Sequence, residues 1–327
     1  MVSNADDECG AIDVSVVIVN WNTASDLRNC LSSLYSHVES RTRIETIVVD
    51  NASSDGSAET IRSEFPQVLV IQNPVNVGYS PANNQGIQRA SGKYILLLNP
   101  DCVLLQDCIT PLVARLELDD TIGLIACRLL NSDGSTQKSF DFFPYPFQEV
   151  NPSFRSRRTA FLRKVNSVIE TNSSCVAGVV IGAFQLVPRE LLVSLGMLDD
   201  SLFMYGEDLD LCYRMTIANK KILFDSSVAV VHLGGRSSDQ VWNSTARLTN
   251  VRKSIFLIQR KHFGILCALA SLTVRMLLSW VRYLLVAAPS KSKEVCAEAS
   301  SEARANLLTL LAVPTLLQIR PKTASKC

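Results

Sequence analysis

The feature that most constrains this chain is the alternation of short, continuously apolar runs with stretches of helical periodicity over its first hundred residues. Residues 14–19, mostly β-branched, and the apolar runs 44–49, 68–72 and 94–98 are too short for helices, so each reads as a strand. Between them, residues 26–37, 57–64 and 81–89 read as helices, and Thr23 followed by Asp26 matches a loose capping box at the first. Strands that are apolar throughout, not at alternate positions, are covered on both faces, which means a parallel sheet flanked by helices. In such sheets ligands bind outside the carboxyl ends of the strands. Four polar clusters fall at those ends: residues 20–22, 50–55, 76–78 and 99–101.

Further along, residues 131–134 read as a hairpin turn, and residues 142–164, with three prolines and Arg155, Arg157, Arg158, Arg163 and Lys164, read as a mobile connection. Regular structure resumes at Cys175, with a helix after Pro188 and another carrying Glu207 to Arg214. Two short strands follow, the second ending at His232. With 47% apolar and 19% charged residues in 327 and a mean hydropathy of +0.17, the chain is not disordered. Its ten cysteines form no CxxC pair, which suits reduced thiols, and its acidic start does not resemble a signal peptide.

Several of these residues could carry chemistry, each beside a plainer role. Asp101, past a strand on a proline-stiffened corner, is either a turn residue or a ligand for the hard cation that a nucleoside diphosphate needs. Asp50 and Asp55 suit a turn or hydrogen bonds to a nucleoside. Gly78 suggests close backbone approach, although no Walker A or GxGxxG pattern is present. Asp210 and Arg214 are spaced for an ion pair on one helix, leaving Glu207 and Asp208 to favour the helix dipole or to face a cleft, one of them as general base. His232 is a structural histidine or a metal ligand; His37 and His262 read as solvated.

Together, Val16 to Asn22, Val49 to Gly56, Asn76 to Asn83, Leu98 to Asp101, residues 182–199, Gly206 to Arg214 and His232 resemble the ordered motifs of family 2 glycosyltransferases with the GT-A fold. Among these they are most similar to bacterial rhamnosyltransferase-type enzymes. The resemblance implies an α/β fold, a Rossmann-like mixed and mainly parallel sheet flanked by helices, and inverting transfer from a nucleotide-activated sugar to an acceptor hydroxyl. It implies that Asp50 contacts the base or ribose and Asp55 supports that loop. Asn20, Trp21, Asn22, Asn76, Gly78, Asn83 and Asn99 are the other donor-binding residues. Asp101 and His232 would hold a divalent metal, Mg²⁺ or Mn²⁺, and Asp208 would be the base with Glu207 beside it. The family's usual DXD reads Asn99-Pro100-Asp101 here, a form common in the rhamnosyltransferase-like branch. The implied partners are a dTDP- or UDP-sugar, rhamnose being the first choice, and a lipid-linked or cell-envelope glycan. A catalytically weak nucleotide-sugar-binding protein of the same fold is the alternative.

The net charge of +1 conceals a division: residues 1–240 hold 28 acids and 19 bases, whereas residues 241–293 hold nine bases and no acid. Residues 263–288 are long enough to span a bilayer, but an arginine near the centre of such a helix costs about 2.5–3.5 kcal/mol. On a helical wheel Lys253, Arg260, Lys261, Ser271, Arg275, Ser279 and Arg282 share one face, which suits a helix lying on an anionic membrane surface or one packed on the catalytic body. A second apolar run, residues 305–317, is interrupted by Pro314. The expected organisation is a tail (1–12), a GT-A domain (13–240) and an amphipathic helical extension (241–327). The expected location is cytoplasmic, peripheral on the inner face of the cell membrane. No motif for reading nucleic acid is present, so no nucleic-acid partner is expected.

Overall fold

The computed structural model describes residues 12–234, 244–286 and 293–319; most of the expected N-terminal tail, residues 1–11, lies outside them. The first strand, β1 (Val14–Asn20), pairs in parallel with β2 (Ile44–Asp50) and β4 (Tyr94–Leu98), and β2 pairs in parallel with β3 (Leu69–Gln72). Helices α1 (Ala24–His37), α2 (Ser57–Glu64) and α3 (Tyr79–Arg89) make the crossovers. β1 lies buried along its whole length because its two faces feed two cores. Val17 and Val19 pack with Ile47 and Ile87 on one side, and Val16 and Ile18 pack with Leu27 and Leu31 of α1 on the other. That double coverage is the physical origin of the continuous apolar run.

Beyond β4 the sheet becomes mixed. β10 (Phe184–Pro188) runs antiparallel between β4 and β6 (Ile122–Leu130), and β6 pairs in parallel with β11 (Lys221–His232). β5 (Cys102–Leu104) closes the edge antiparallel to β11, with His232 opposite Cys102. The order is β3-β2-β1-β4-β10-β6-β11-β5, with β8 (Ser174–Ala177) also on β11 and a separate pair formed by β7 (Phe140–Asp141) and β9 (Val179–Val180). The two short strands expected before His232 are one strand, bent by an irregular register between Asp225 and Ala229. α4 (Ile109–Leu118), α6 (Arg189–Ser194) and α7 (Glu207–Ile217) cover the sheet.

Other expectations are corrected. Most of the stretch expected to be a mobile connection is α5 (Pro152–Glu170): Asn151 caps it by accepting from Ser153 N, proline occupies its first turn, and Val165 and Val168 are buried. Phe161 meets Phe140 and Phe142 edge to face, while Arg157, Arg158, Arg163 and Lys164 lie outward, which is why the segment looks like a basic loop in sequence. Thr23 does not close a capping box; its hydroxyl donates to Asn20 Oδ1 (2.7 Å), and Asp55 Oδ2 accepts from Ala24 N (2.8 Å) at the start of α1.

The C-terminal part is a bundle of three helices, α8 (Ser244–Phe263), α9 (Ile265–Val286) and α10 (Lys293–Gln318), turned between the first two by Gly264 at φ +86°. Pro314 does not end α10. The basic stripe expected to face a membrane is mostly turned inward. Lys261 bonds Asp199 and Asp210, Arg260 bonds the carbonyls of Leu316 and Ile319, and Arg282 pairs with Glu302. Ser271, Arg275 and Ser279 are buried.

Candidate active site

The carboxyl ends of β1, β2 and β4, the end of β11 and the start of α7 surround a cavity of about 350 Å³. Of the expected site residues, Trp21, Asn76, Gly78, Asn99, Asp101, Glu207, Asp208 and His232 line it; Asn20, Asn22, Asp50, Asp55 and Asn83 do not. The second group builds the walls. Asp50, 1% exposed, accepts from Asn20 Nδ2 (2.9 Å), Ser57 Oγ (3.2 Å) and Ser53 N (3.0 Å). Asp55 accepts from the Ser57 hydroxyl and N–H and from Ala24 N, and although burial alone would raise it, these bonds hold its carboxyl below the usual range. Asn22 accepts from Ser54 N (2.7 Å), and the buried Asn83 donates to Tyr79 O within α3.

Gly78 stands at φ +97°, where an added Cβ would lie 2.8 Å from the Phe203 ring, so only glycine lets the two loops touch. Asn51, a cavity residue absent from the sequence expectations, ties this corner together by donating to Asn76 Oδ1 and accepting from Val77 N.

The β11–β5 register brings His232 Nε2 to 3.4 Å from Asp101 Oδ1. The hydrogen bonds around the imidazole determine its tautomer. Gln137 Nε2 donates to Asn131 Oδ1 and to the His232 carbonyl, so Gln137 Oε1 is the atom that faces Nδ1 at 2.7 Å and accepts a hydrogen bond from its N–H. Tyr79 donates to Asn99 Oδ1 (2.9 Å), which turns the Asn99 Nδ2 toward Nε2 at 3.3 Å. Nε2 therefore presents a lone pair beside the Asp101 carboxylate. One imidazole nitrogen and one carboxylate oxygen, with the remaining positions left for phosphate oxygens and water, fit a Mn²⁺ or Mg²⁺ ion. Cys102 is within reach, its possible ligand atom within 4.8 Å of the others, but burial and then the Asp101 charge push its thiol far up and its Sγ contacts Ala183 O. It stays a neutral neighbour.

Opposite this pair, Gly206 at φ +91° starts α7 and presents Glu207 and Asp208. Burial pushes both carboxyls up, and the Asp208 charge pushes Glu207 further. The helix is anchored by its next acid. Asp210, fully buried, accepts from Arg214 Nε (2.7 Å), Lys261 Nζ (3.0 Å) and His262 Nε2 (2.8 Å). Burial opposes its charge, but the His262 bond and the two cations hold it well below the ordinary carboxylate range. His262 is thus packed on Asp210, not solvated. Gln137 and Arg247, which also lines the cavity, went unnoticed in the sequence. The first lies beside a turn with no pattern of its own, and the second is one of nine bases in the acid-free segment 241–293, with nothing to single it out.

The Glycosyl transferase family 2 description matches residues 15–180, just over half of the chain and the part that carries most of the nucleotide-side loops. The chain belongs to glycosyl transferase family 2. This glycosyltransferase is 26% identical over 230 residues to the low-salt glycan biosynthesis hexosyltransferase Agl10 of Haloferax volcanii, covering 67% of each chain. It is 25% identical over 273 residues to the N-acetylglucosaminyl-diphospho-decaprenol L-rhamnosyltransferase of Mycobacterium tuberculosis, covering 76% of this chain and 85% of that one. In structure it resembles the mannosyltransferase PcManGT of Pyrobaculum calidifontis, solved with GDP-Man and Mn²⁺, at TM-score 0.55 and 15% identity over 91% of this chain and 86% of that one. It also resembles GalNAc-T7, solved with UDP, GalNAc and Mn²⁺, at TM-score 0.58 and 18% identity over 97% of this chain, but spans only 60% of that longer chain. These likenesses establish the GT-A fold of the family 2 enzyme.

Proposed function

We propose that this family 2 glycosyltransferase moves a sugar from a nucleoside diphosphate to an acceptor hydroxyl with inversion, assisted by Mg²⁺ or Mn²⁺. The observation that carries the reading is a single cavity lined both by the Glu207–Asp208 pair and by Asp101 with His232. Asp208 takes the proton of the acceptor hydroxyl while that oxygen bonds to the anomeric carbon. The bond from that carbon to the diphosphate breaks on the opposite side, which inverts the centre. Burial makes Asp208 a stronger base than an exposed aspartate, and Glu207 is the neighbour that positions the acceptor. A divalent ion held by Asp101 and His232 would supply positive charge to the departing diphosphate. Gln137 keeps the imidazole turned for that role, and the Asn99 amide on Nε2 would yield its place to the ion.

A lipid-linked acceptor and rhamnose as the first-choice sugar draw support from the mycobacterial relative's name; dTDP as its carrier and a cell-envelope glycan as the product rest on the motif resemblance alone. Attachment to a membrane draws support from helix α9, whose residues Ile265–Leu285 are long and apolar enough to cross a bilayer, with 28% of that stretch buried; the cytoplasmic face is the expected side. The decisive experiment incubates the protein with UDP- and dTDP-sugars, Mn²⁺ or Mg²⁺ and a lipid-diphosphate acceptor, measuring nucleoside diphosphate release and the anomeric configuration of the product. Inverted product is expected. Nucleoside diphosphate binding without turnover on any donor would favour the weak binding protein instead.

A further inference from the structure

The cavity has an unbalanced charge. Asp101, Glu207 and Asp208 line it, and a donor would add the negative charge of a diphosphate; among its described lining residues Arg247 alone has a permanently charged side chain of the opposite sign. Arg247 belongs to α8, beyond the part of the chain that the family description covers. That helix is nevertheless pressed on the catalytic corner. Ser254 Oγ donates to Met204 O (3.5 Å), and a Cβ on Gly206 would press at 3.0 Å on both Ser254 Cβ and Ile258 Cδ1, so the two helices meet closely at this glycine. Lower on the same helix, Lys261 and His262 hold Asp210. Arg247, Ser254, Ile258 and Lys261 recur at the spacing of one helical face, the face turned to α7. At the upper end the Arg247 guanidinium sits 5.7 Å from the Tyr205 ring centroid, a cation–π contact that orients it beside the cavity it lines.

We infer that Arg247 is a further catalytic residue, whose guanidinium grips the diphosphate of the donor and remains on it as the leaving group departs. The inference rests on the glycosyl-transfer reading. Its planar fork of donors matches two phosphate oxygens at once, which an ammonium cannot do. As the bond between the anomeric carbon and the diphosphate breaks, the electron pair passes to the phosphate oxygen. Arg247 donates hydrogen bonds to the anion without giving up a proton, since the only proton transferred goes from the acceptor hydroxyl to Asp208.

The test is calorimetric binding of UDP and dTDP, against uridine and thymidine, to the full chain and to its Arg247→Ala, Arg247→Lys and Arg247→Glu variants with Mn²⁺ present. Thermal melting checks that each variant is folded, which an exposed position permits. The Ala variant is expected to lose about tenfold in affinity for the better-bound diphosphate, the Glu variant more, and the Lys variant less, while nucleoside affinity stays unchanged. Equal diphosphate affinity in wild type and Ala variant, or equal loss for nucleoside and diphosphate, overturns the role of Arg247 and leaves the transferase reading standing. If the wild-type chain binds neither diphosphate, both fall together.

Discussion

Two neighbouring carboxyls in one buried corner resist ionising together; here that resistance falls on Glu207, while burial itself raises the proposed base. Burial raises Asp208 and Glu207 alike. Because the base works only when ionised, turnover should rise with pH along a limb whose midpoint lies above the ordinary aspartate value of about 3.9. A pH–rate profile of kcat with its acid limb at or below that value would remove Asp208 from the role. Asp208→Asn should lower kcat by about 10²–10⁴-fold while UDP or dTDP affinity is kept, since the lost group serves the acceptor and not the donor. Near-normal turnover would refute the assignment. On the other side of the cavity, Gln137 determines which imidazole nitrogen of His232 carries the proton. Gln137→Leu should therefore weaken Mn²⁺ binding by about 10–100-fold, read by electron paramagnetic resonance, with unchanged melting. Mn²⁺ affinity equal to wild type would mean that His232 does not ligate the ion.

At the scale of elements, α7 and α8 are joined by one buried acid among three partners. Removing it by Asp210→Ala leaves the buried Arg214 without its carboxylate, Lys261 with Asp199 alone and His262 without its acceptor, at a cost of about 3–5 kcal/mol in chemical denaturation. A loss below about 1 kcal/mol would show that the contact is incidental. The sign of the pH dependence follows from the depressed carboxyl. Its stabilisation is complete above the unfolded value of about 3.9 and is lost only as pH falls toward the lower folded value. The same contact marks the limit of what is legible in sequence. β1, β2 and β4 could be read because burial on both faces leaves an unbroken apolar run, and Asp101, Glu207, Asp208 and His232 because each ends or begins an element at one edge of the sheet. Lys261 and His262 could not. A basic helical face is the same pattern whether it meets water, lipid phosphate or a buried aspartate 51 or 52 residues away. The arginines of α5 hide in the converse way a helix whose apolar side is Phe161, Val165, Val168 and Ile169.

On the scale of the whole molecule, the engagement of those cations changes the expected physics of membrane attachment. Arg260 closes the C-terminal carbonyls of α10, Arg282 and Arg252 meet Glu302, and Asn306 donates to Ser279 between α9 and α10. The polar stripe is thus largely the inside of the bundle. Besides Arg282, Glu298 and Arg304, α9 and α10 turn outward a run of large apolar side chains: Leu266 is 80% exposed, Leu284 67%, Leu285 70% and Leu311 68%, with Trp280 among them. Such a surface is opposed to that of a water-soluble bundle and suited to acyl chains, where each buried leucine contributes about 1.5–3 kcal/mol. Flotation of the full chain with phosphatidylcholine vesicles should therefore succeed without anionic lipid and survive about 0.5 M salt, at which ionic attraction is screened within a few ångströms. Leu284→Glu with Leu311→Glu should abolish flotation yet leave the release of nucleoside diphosphate to a water-soluble acceptor intact. Binding that requires phosphatidylserine and disappears at that salt concentration would return the attachment to surface charge, and the outward leucines would then need another partner.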